Sequence, residues 1–395
     1  MSRDLPIYLD NAATTPVDPQ VVAVMNDCLS DPALQGNPAA AHGYAERAEM
    51  AIEKAREQVA ALINGDPDGV LWTSGATESD NLALLGGARF RSMMGHHIVS
   101  SATEHSAVLG PLKQLKEEGF QVTLLEPDSQ GRITADQVRD ALTDDTILVS
   151  IMHANNETGV IQDVGSIGEV CRSCDVLFHV DAAQSAGRLP LDVEAQNIDL
   201  LSLSAHKLYG PKGVGGLYLN RDRISRLEPL AYGGSHERGL RPGTLATHQI
   251  VGMGAAFALA AERFGEDAQK IGALRESLWD AISAADSSDE LSGGLIRNSA
   301  DADTLYSILS VSVPGVEGES LLLAISDIAV ASGSACLSDT DEPSYVMRSL
   351  GHDDQLAQST IRFSLGRFNT QADVDDAANR FAEAVRALRQ LAGEG

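Results

Sequence analysis

Leu200-Leu201-Ser202-Leu203-Ser204-Ala205-His206-Lys207, with the Gly210-Pro211-Lys212-Gly213-Val214-Gly215-Gly216 that follows, decides the fold. A short run of mostly apolar residues has the length of a buried strand, and its end in a histidine, a lysine and a glycine-rich turn marks a strand end. The pattern recurs on both sides. Strand-like runs lie at Val70–Thr73, His97–Ser100, Val122–Leu125, Ile147–Met152, Val176–Val180 and Val214–Leu219. Helical periodicity fills the intervals at Ala40–Ile63, Thr77–Met93, Glu104–Glu118 and Val164–Ser173. Apolar strands alternating with helices predict an α/β chain whose mostly parallel central sheet is covered on both faces. In such sheets ligands gather beyond the carboxyl ends of the strands.

Further along, Leu245–Ala285 reads as a long helical region broken near Gly265, followed by a loop rich in Ser, Asp and Gly at Ala285–Asp303. The remainder alternates strand (Leu305–Val313), helix (Gly318–Ser326), a loop around Cys336, a helix at Pro343–Leu350, strand (Thr360–Ser364) and helix (Gln371–Leu391). Thr370 and Asp373 resemble a capping box for that last helix. The division expected is a large domain at 16–260 and a smaller α+β domain from 1–15 and 261–395.

Composition excludes several classes. The 395 residues carry 29 Lys+Arg against 56 Asp+Glu, a formal net charge of −27. So acidic a surface repels phosphate backbones and anionic lipids, which argues against direct contact with nucleic acid or membrane. No run approaches the ~20 apolar residues of a membrane span. The N-terminus lacks the order of a secretion signal, and four cysteines do not make a disulfide framework, so a cytoplasmic chain is expected. The same acidity makes lysine scarce: six in all, of which Lys207 stands between a buried-looking strand and a glycine loop.

The residues just after the strands form a coherent set. Ser74-Gly75-Ala76-Thr77-Glu78-Ser79 follows the first strand and opens a helix, where free N–H groups and the helix dipole suit a phosphate. Thr103-Glu104-His105, Asn155-Asn156-Glu157, Asp181-Ala182-Ala183-Gln184 and His206-Lys207 follow the others. Taken singly, Asp181 also reads as a helix cap, His105 as a core histidine and Lys207 as a surface lysine. Together they match pyridoxal phosphate, which needs a lysine for a Schiff base, an acid beside the ring nitrogen and a phosphate cradle.

Several strings resemble the cysteine desulfurases of the aminotransferase class V group, fold-type I pyridoxal phosphate enzymes. They are Leu9-Asp10-Asn11-Ala12-Ala13-Thr14-Thr15, Thr73-Ser74-Gly75-Ala76-Thr77-Glu78-Ser79-Asp80-Asn81, Thr103-Glu104-His105, His179-Val180-Asp181-Ala182-Ala183-Gln184-Ser185 and Ser204-Ala205-His206-Lys207. Arg241-Pro242-Gly243-Thr244, Ala331-Ser332-Gly333-Ser334-Ala335-Cys336 and Ile361-Arg362-Phe363-Ser364-Leu365-Gly366-Arg367 resemble the NifS/IscS-like class in particular.

The resemblance implies conversion of L-cysteine to L-alanine, with sulfur kept as a persulfide on Cys336 for an acceptor protein. Lys207 would carry the cofactor, Asp181 pair with its ring nitrogen, His105 stack on the ring and help move protons, and Gln184 hold the phenolic oxygen. Thr77, Ser204 and His206, with the backbone of Ala76, would hold the phosphate, and Thr244 would reach the phosphate of a neighbouring subunit, implying a homodimer. Arg362, Asn156 and Asn37 would bind the substrate carboxylate, for which an arginine fork suits the geometry. No metal is implied.

The small, polar neighbours of Cys336 fit an accessible nucleophile, which at an ordinary pKa of about 8.5 is only a few per cent thiolate at neutral pH. Cys171 and Cys174 sit at a helix end, where the dipole gives thiolates no help, and read as packing; Cys28 likewise reads as structural.

Two other readings stand beside this one: a class V aminotransferase or lyase without a cysteine nucleophile, and a non-catalytic scaffold on the same fold. The sulfur's destination is open among iron–sulfur assembly, tRNA thiolation and DNA phosphorothioation. The sequence ends at Gly395, short of the tail that the resemblance to housekeeping enzymes implies, which favours a NifS-like or DNA-phosphorothioation role. Gly234-Ser235-His236 and Pro242 also depart from the pattern, at positions given no role.

Overall fold

The computed structural model describes residues 5–287, 293–332 and 342–393. Seven strands form the large sheet: β1 (Val70–Thr73), β2 (His97–Ser101), β3 (Gln121–Leu125), β4 (Thr146–Ser150), β5 (Leu177–Asp181), β6 (Leu200–Ser204) and β7 (Gly215–Leu219). Their order is β1-β7-β6-β5-β4-β2-β3. Pairing is parallel from β6 through to β3, whereas β7 runs antiparallel to both β1 and β6.

Every strand but the edge strand β3 is buried throughout. Because side chains alternate across a sheet, neighbouring residues enter opposite cores. Trp72, Val99, Phe178 and Leu201 pack on one face, and Leu71, Ile98, Leu177 and Leu200 on the other. At roughly 1.5–3 kcal/mol for each large apolar side chain buried, both faces must be covered for the sheet to persist.

A helix of 41 residues, Thr247–Ser287, connects this sheet to a third core. Its first part packs Ile250, Met253 and Phe257 against the large sheet, and its later part packs Ile271, Leu274 and Leu278 elsewhere. The break expected near Gly265 is absent. One glycine costs about 1 kcal/mol in a helix, and apolar packing on both sides of it offsets that.

The third core surrounds an antiparallel sheet ordered Ala331–Ser332, Thr360–Ser364, Ile308–Ser312, Ile296–Arg297. Ile7 and Leu9 join it from the N-terminus, where Ile7–Tyr8 pairs in parallel with Ile328–Ala329. Helix Gln371–Gly393 covers it with Val374, Phe381 and Val385. That helix begins with the expected reciprocal cap: the Thr370 N–H donates to Asp373 Oδ2 at 2.9 Å, and the Asp373 N–H to Thr370 Oγ1 at 3.2 Å. We propose that these cores are the two domains expected from the sequence.

Two further differences have physical causes. The expected helix 77–93 is Ala76–Asn81 and Gly87–Arg91 joined by a π turn at Leu82–Gly86, a change of backbone bonding that hydrophobic period does not record. Cys171 is fully buried and Cys28 nearly so, as expected of packing residues, but Cys174 is exposed at the helix cap.

Candidate active site

The strand ends converge. A cavity of about 400 Å³ is lined by residues that include Thr77, His105, Asn156, Asp181, Gln184 and Lys207. Ala76, Ser204 and His206 line it as well, so nine of the expected residues meet in one place. Asp181 and Ser204 are the last residues of β5 and β6, so the ladder itself fixes their Cα atoms.

The turn after β1 is shaped by two glycines. Gly75 has φ +156°, a conformation that favours glycine. A Cβ on Gly215 would lie 2.6 Å from Gly75 Cα, so only glycine lets β7 approach the turn this closely. The Ser74 N–H donates to Glu78 Oε2 at 2.6 Å, and Arg241 Nε to Glu78 Oε1 at 2.9 Å. Burial works to raise the Glu78 pKa, but these hydrogen bonds prevail and hold it below the ordinary value.

Lys207 sits half-buried in the turn after β6. The buried Arg188 staples that turn, donating through Nη2 to the Lys207 carbonyl and through Nη1 to the Gln184 carbonyl at 2.8 Å. The N-terminal segment closes from the other side: Thr15 N–H donates to the His206 carbonyl at 2.9 Å, and Gln184 Nε2 to the Ala12 carbonyl at 2.8 Å.

His105 caps helix Ser106–Glu117, its Nδ1 accepting the Ala107 N–H at 3.1 Å. That bond places the imidazole proton on Nε2, and burial lowers the ring's pKa despite Asp181. Burial, with Lys207 and Lys212, likewise lowers His206 to about 4. Asp181 Oδ1 accepts the Ala183 N–H at 2.8 Å. Beneath it, Asp80 is fully buried and its pKa lies well above the carboxylate range, through burial and then the Asp181 charge. His179 Nε2 is 3.5 Å from Asp80, and burial depresses that histidine to about 3.

Arg362 does not line the cavity but holds a residue that does: its Nη1 donates to the Asn156 carbonyl at 2.7 Å and its Nη2 to Asp10 Oδ1 at 2.8 Å. The buried polar atoms here that have no hydrogen-bond partner among the described residues include Ser204 Oγ and Arg362 Nε. The donor set of lysine, buried carboxylate, unpartnered hydroxyl and open helix start fits a phosphate-bearing ring cofactor. Among the described residues no group of three or more metal-ligating side chains gathers.

Other expected residues lie elsewhere. Asn37 is exposed, with Oδ1 accepting the Ala39 N–H at 3.0 Å, and Thr244 is exposed outside the cavity of its own chain. Cys336 falls outside the described residues. Asp80, Arg188 and Lys212 had been given no role. Asp80 was nevertheless detectable, because it follows Ala76 by four residues and Thr77 by three on one helix and so shares their face.

Residues 7–376 match the aminotransferase class-V family. The cysteine desulfurase IscS of Photobacterium profundum is 52% identical over 388 residues, covering 98% of this chain and 94% of that protein. Among solved structures, a NifS-like protein superposes with a TM-score of 0.87 at 35% identity, over 96% of this chain and 99% of that one. SspA in complex with cysteine does so with a TM-score of 0.78 at 37% identity, over 92% and 99%. The fold and site therefore define a class V enzyme of fold-type I. Within that class, the chain belongs to the cysteine desulfurase family.

Proposed function

We propose that this chain is a pyridoxal phosphate-dependent cysteine desulfurase that leaves the substrate's sulfur on Cys336. The observation that carries the reading is the convergence of Lys207, Asp181, His105 and Gln184 with the Gly75–Thr77 turn on one cavity. Bound there, pyridoxal phosphate would withdraw electrons from the α-carbon of an amino acid.

The chain's own residues supply the rest. Lys207 would hold the cofactor covalently and, once its amine is free, move the α-proton. Asp181, with one oxygen held by Ala183, keeps the other as acceptor for a protonated ring nitrogen. Ser204 Oγ, His206, Thr77 and the Ala76 N–H would take phosphate oxygens. His105, neutral with its proton on Nε2, is suited to stack on a ring and to pass a proton. Arg362 Nε is the unpartnered donor for a substrate carboxylate, beside Asn156.

At Cys336 the thiolate attacks the substrate sulfur. An S–S bond forms, the substrate's Cβ–S bond breaks, and the carbon fragment gains a proton to leave as alanine, so electrons and atoms balance. Thr244, exposed and outside its own cavity, supports a homodimer in which it reaches the neighbour's phosphate. The persulfide would pass to an acceptor protein of iron–sulfur, tRNA-thiolation or DNA-phosphorothioation chemistry. We place the reaction in the cytoplasm; no helix among the described residues is long and apolar enough to cross a membrane.

The test is product analysis with L-cysteine and dithiothreitol. Wild-type protein should release alanine and sulfide one-to-one, and Cys336→Ser should lose both. Full activity in Cys336→Ser would place the chain instead with class V enzymes that use no cysteine nucleophile.

A further inference from the structure

The residues that follow the Cys336 segment are tied to two of the loops that line the cavity, those after β2 and β4. Ser344, 1% exposed, donates from Oγ to Glu157 Oε2 at 2.6 Å. Glu157 directly follows Asn156. Tyr345 Oη donates to the Glu104 carbonyl at 2.6 Å, and Glu104 directly precedes His105. Asn156 and His105 both line the cavity.

On the other side of the segment, Ala331 and Ser332 pair with Arg362 and Ile361 in antiparallel register, and Arg362 donates to the Asn156 carbonyl. Cys336 follows Ser332 by four residues and precedes Ser344 by eight, so at full extension these tethers are only about 14 Å and about 28 Å long. Both roots therefore meet at Asn156 and Glu157.

Capping alone does not explain this. Ser344 is the N-cap of helix Tyr345–Ser349, where Oγ accepts the Met347 N–H at 3.2 Å. A cap needs only the hydroxyl lone pair. Its hydrogen goes to a carboxyl that is 5% exposed, and burying such a group for a helix cap would be a cost without a return.

We propose that Ser344 and Tyr345 are positioning residues for sulfur abstraction: they root the C-terminal side of the Cys336 segment on the loops after β2 and β4 that carry His105 and Asn156. The proposal rests on the reading of Cys336 as the sulfur acceptor. The roots set the two points from which the segment that carries the thiol has to reach the substrate; Ser344 and Tyr345 act through that segment and not by contact with cofactor or substrate.

The experiment is a single turnover of holoenzyme with L-cysteine, following persulfide on Cys336 by mass and the cofactor's visible spectrum in parallel. Ser344→Ala should slow persulfide formation about tenfold, since it deletes a hydrogen bond to a buried carboxyl. The cysteine-induced spectral change should keep its rate and concentration dependence. Ser344→Thr, which restores the hydroxyl, should recover the rate. Tyr345→Phe, which keeps the ring packing, should give a smaller loss and carries the test should Ser344→Ala not fold.

Persulfide formation within about twofold of wild type in the variants that fold would overturn the proposal, given what a hydrogen bond of this kind contributes. An equal loss of the spectral change would also overturn it, by placing these residues in substrate binding. Full desulfuration by Cys336→Ser would remove the reading beneath it, an outcome separable because it needs no change at Ser344.

Discussion

Asp181 and Ser204 end buried strands, whereas Asn37 and Thr244 stand on exposed loops, though all four were assigned to one reaction. The strand-end set is held by the sheet's own ladder and by the Arg188 staple, so its geometry is complete within one chain. The loop set has no such frame: the Asn37 side chain is occupied with its own turn, and Thr244 does not line the cavity of its own chain. The groups proposed to hold and polarise the reacting atoms lie at or just beyond the strand ends of the large sheet. Asn37 and Thr244, proposed for the substrate carboxylate and a neighbouring subunit's phosphate, lie on loops.

The comparison breaks first, if at all, at Lys207. Lys207→Ala should abolish the cofactor's visible band and cut alanine formation by about 10²–10⁴-fold or more, the scale of a lost proton-transfer group. Retention of the band by the variant would take the lysine out of the strand-end set. A smaller effect is expected on the loops. Thr244→Ala should weaken cofactor affinity about tenfold while leaving kcat at saturating cofactor near wild type, as for one lost hydrogen bond to phosphate. Cofactor titration of the apoprotein measures it, and an unchanged affinity would detach Thr244 from the site.

The smallest effect is one of stability. Burial raises the Glu157 pKa to about 7, against the opposing pull of the Ser344 hydrogen bond and the Arg362 charge. Its unfolded value is about 4.3, so between there and about 7 the folded chain binds the extra proton. Its contribution is fully present below that window and is lost as pH rises through it. Glu157→Gln cannot ionise, so its Tm should fall less than that of wild type between pH 5 and pH 8. Parallel melting curves would show that the carboxyl does not titrate there.

Much of this is legible in the sequence alone. Val70–Thr73, Leu200–Ser204, Thr360–Ser364 and Val164–Ser173 fall where the sequence places them, because uninterrupted apolar runs and sharp polar ends admit few other readings. The direction of β7 was not legible, since a buried strand reads alike either way. Helix Ala135–Ala141 went unseen although Thr134 and Gln137 spell its capping box. In the site, residues adjacent to a strand end were found. Arg188 was missed because it acts through carbonyl groups, and Ser344 because its partner Glu157 lies 187 residues away.

The most direct test of the central claim is the mass of the peptide carrying Cys336 after one turnover with L-cysteine in the absence of reductant. A gain of one sulfur atom on that peptide is expected, matched by one alanine released per active site. Alanine released with no added sulfur on Cys336, or the sulfur found on Cys174 instead, would contradict it.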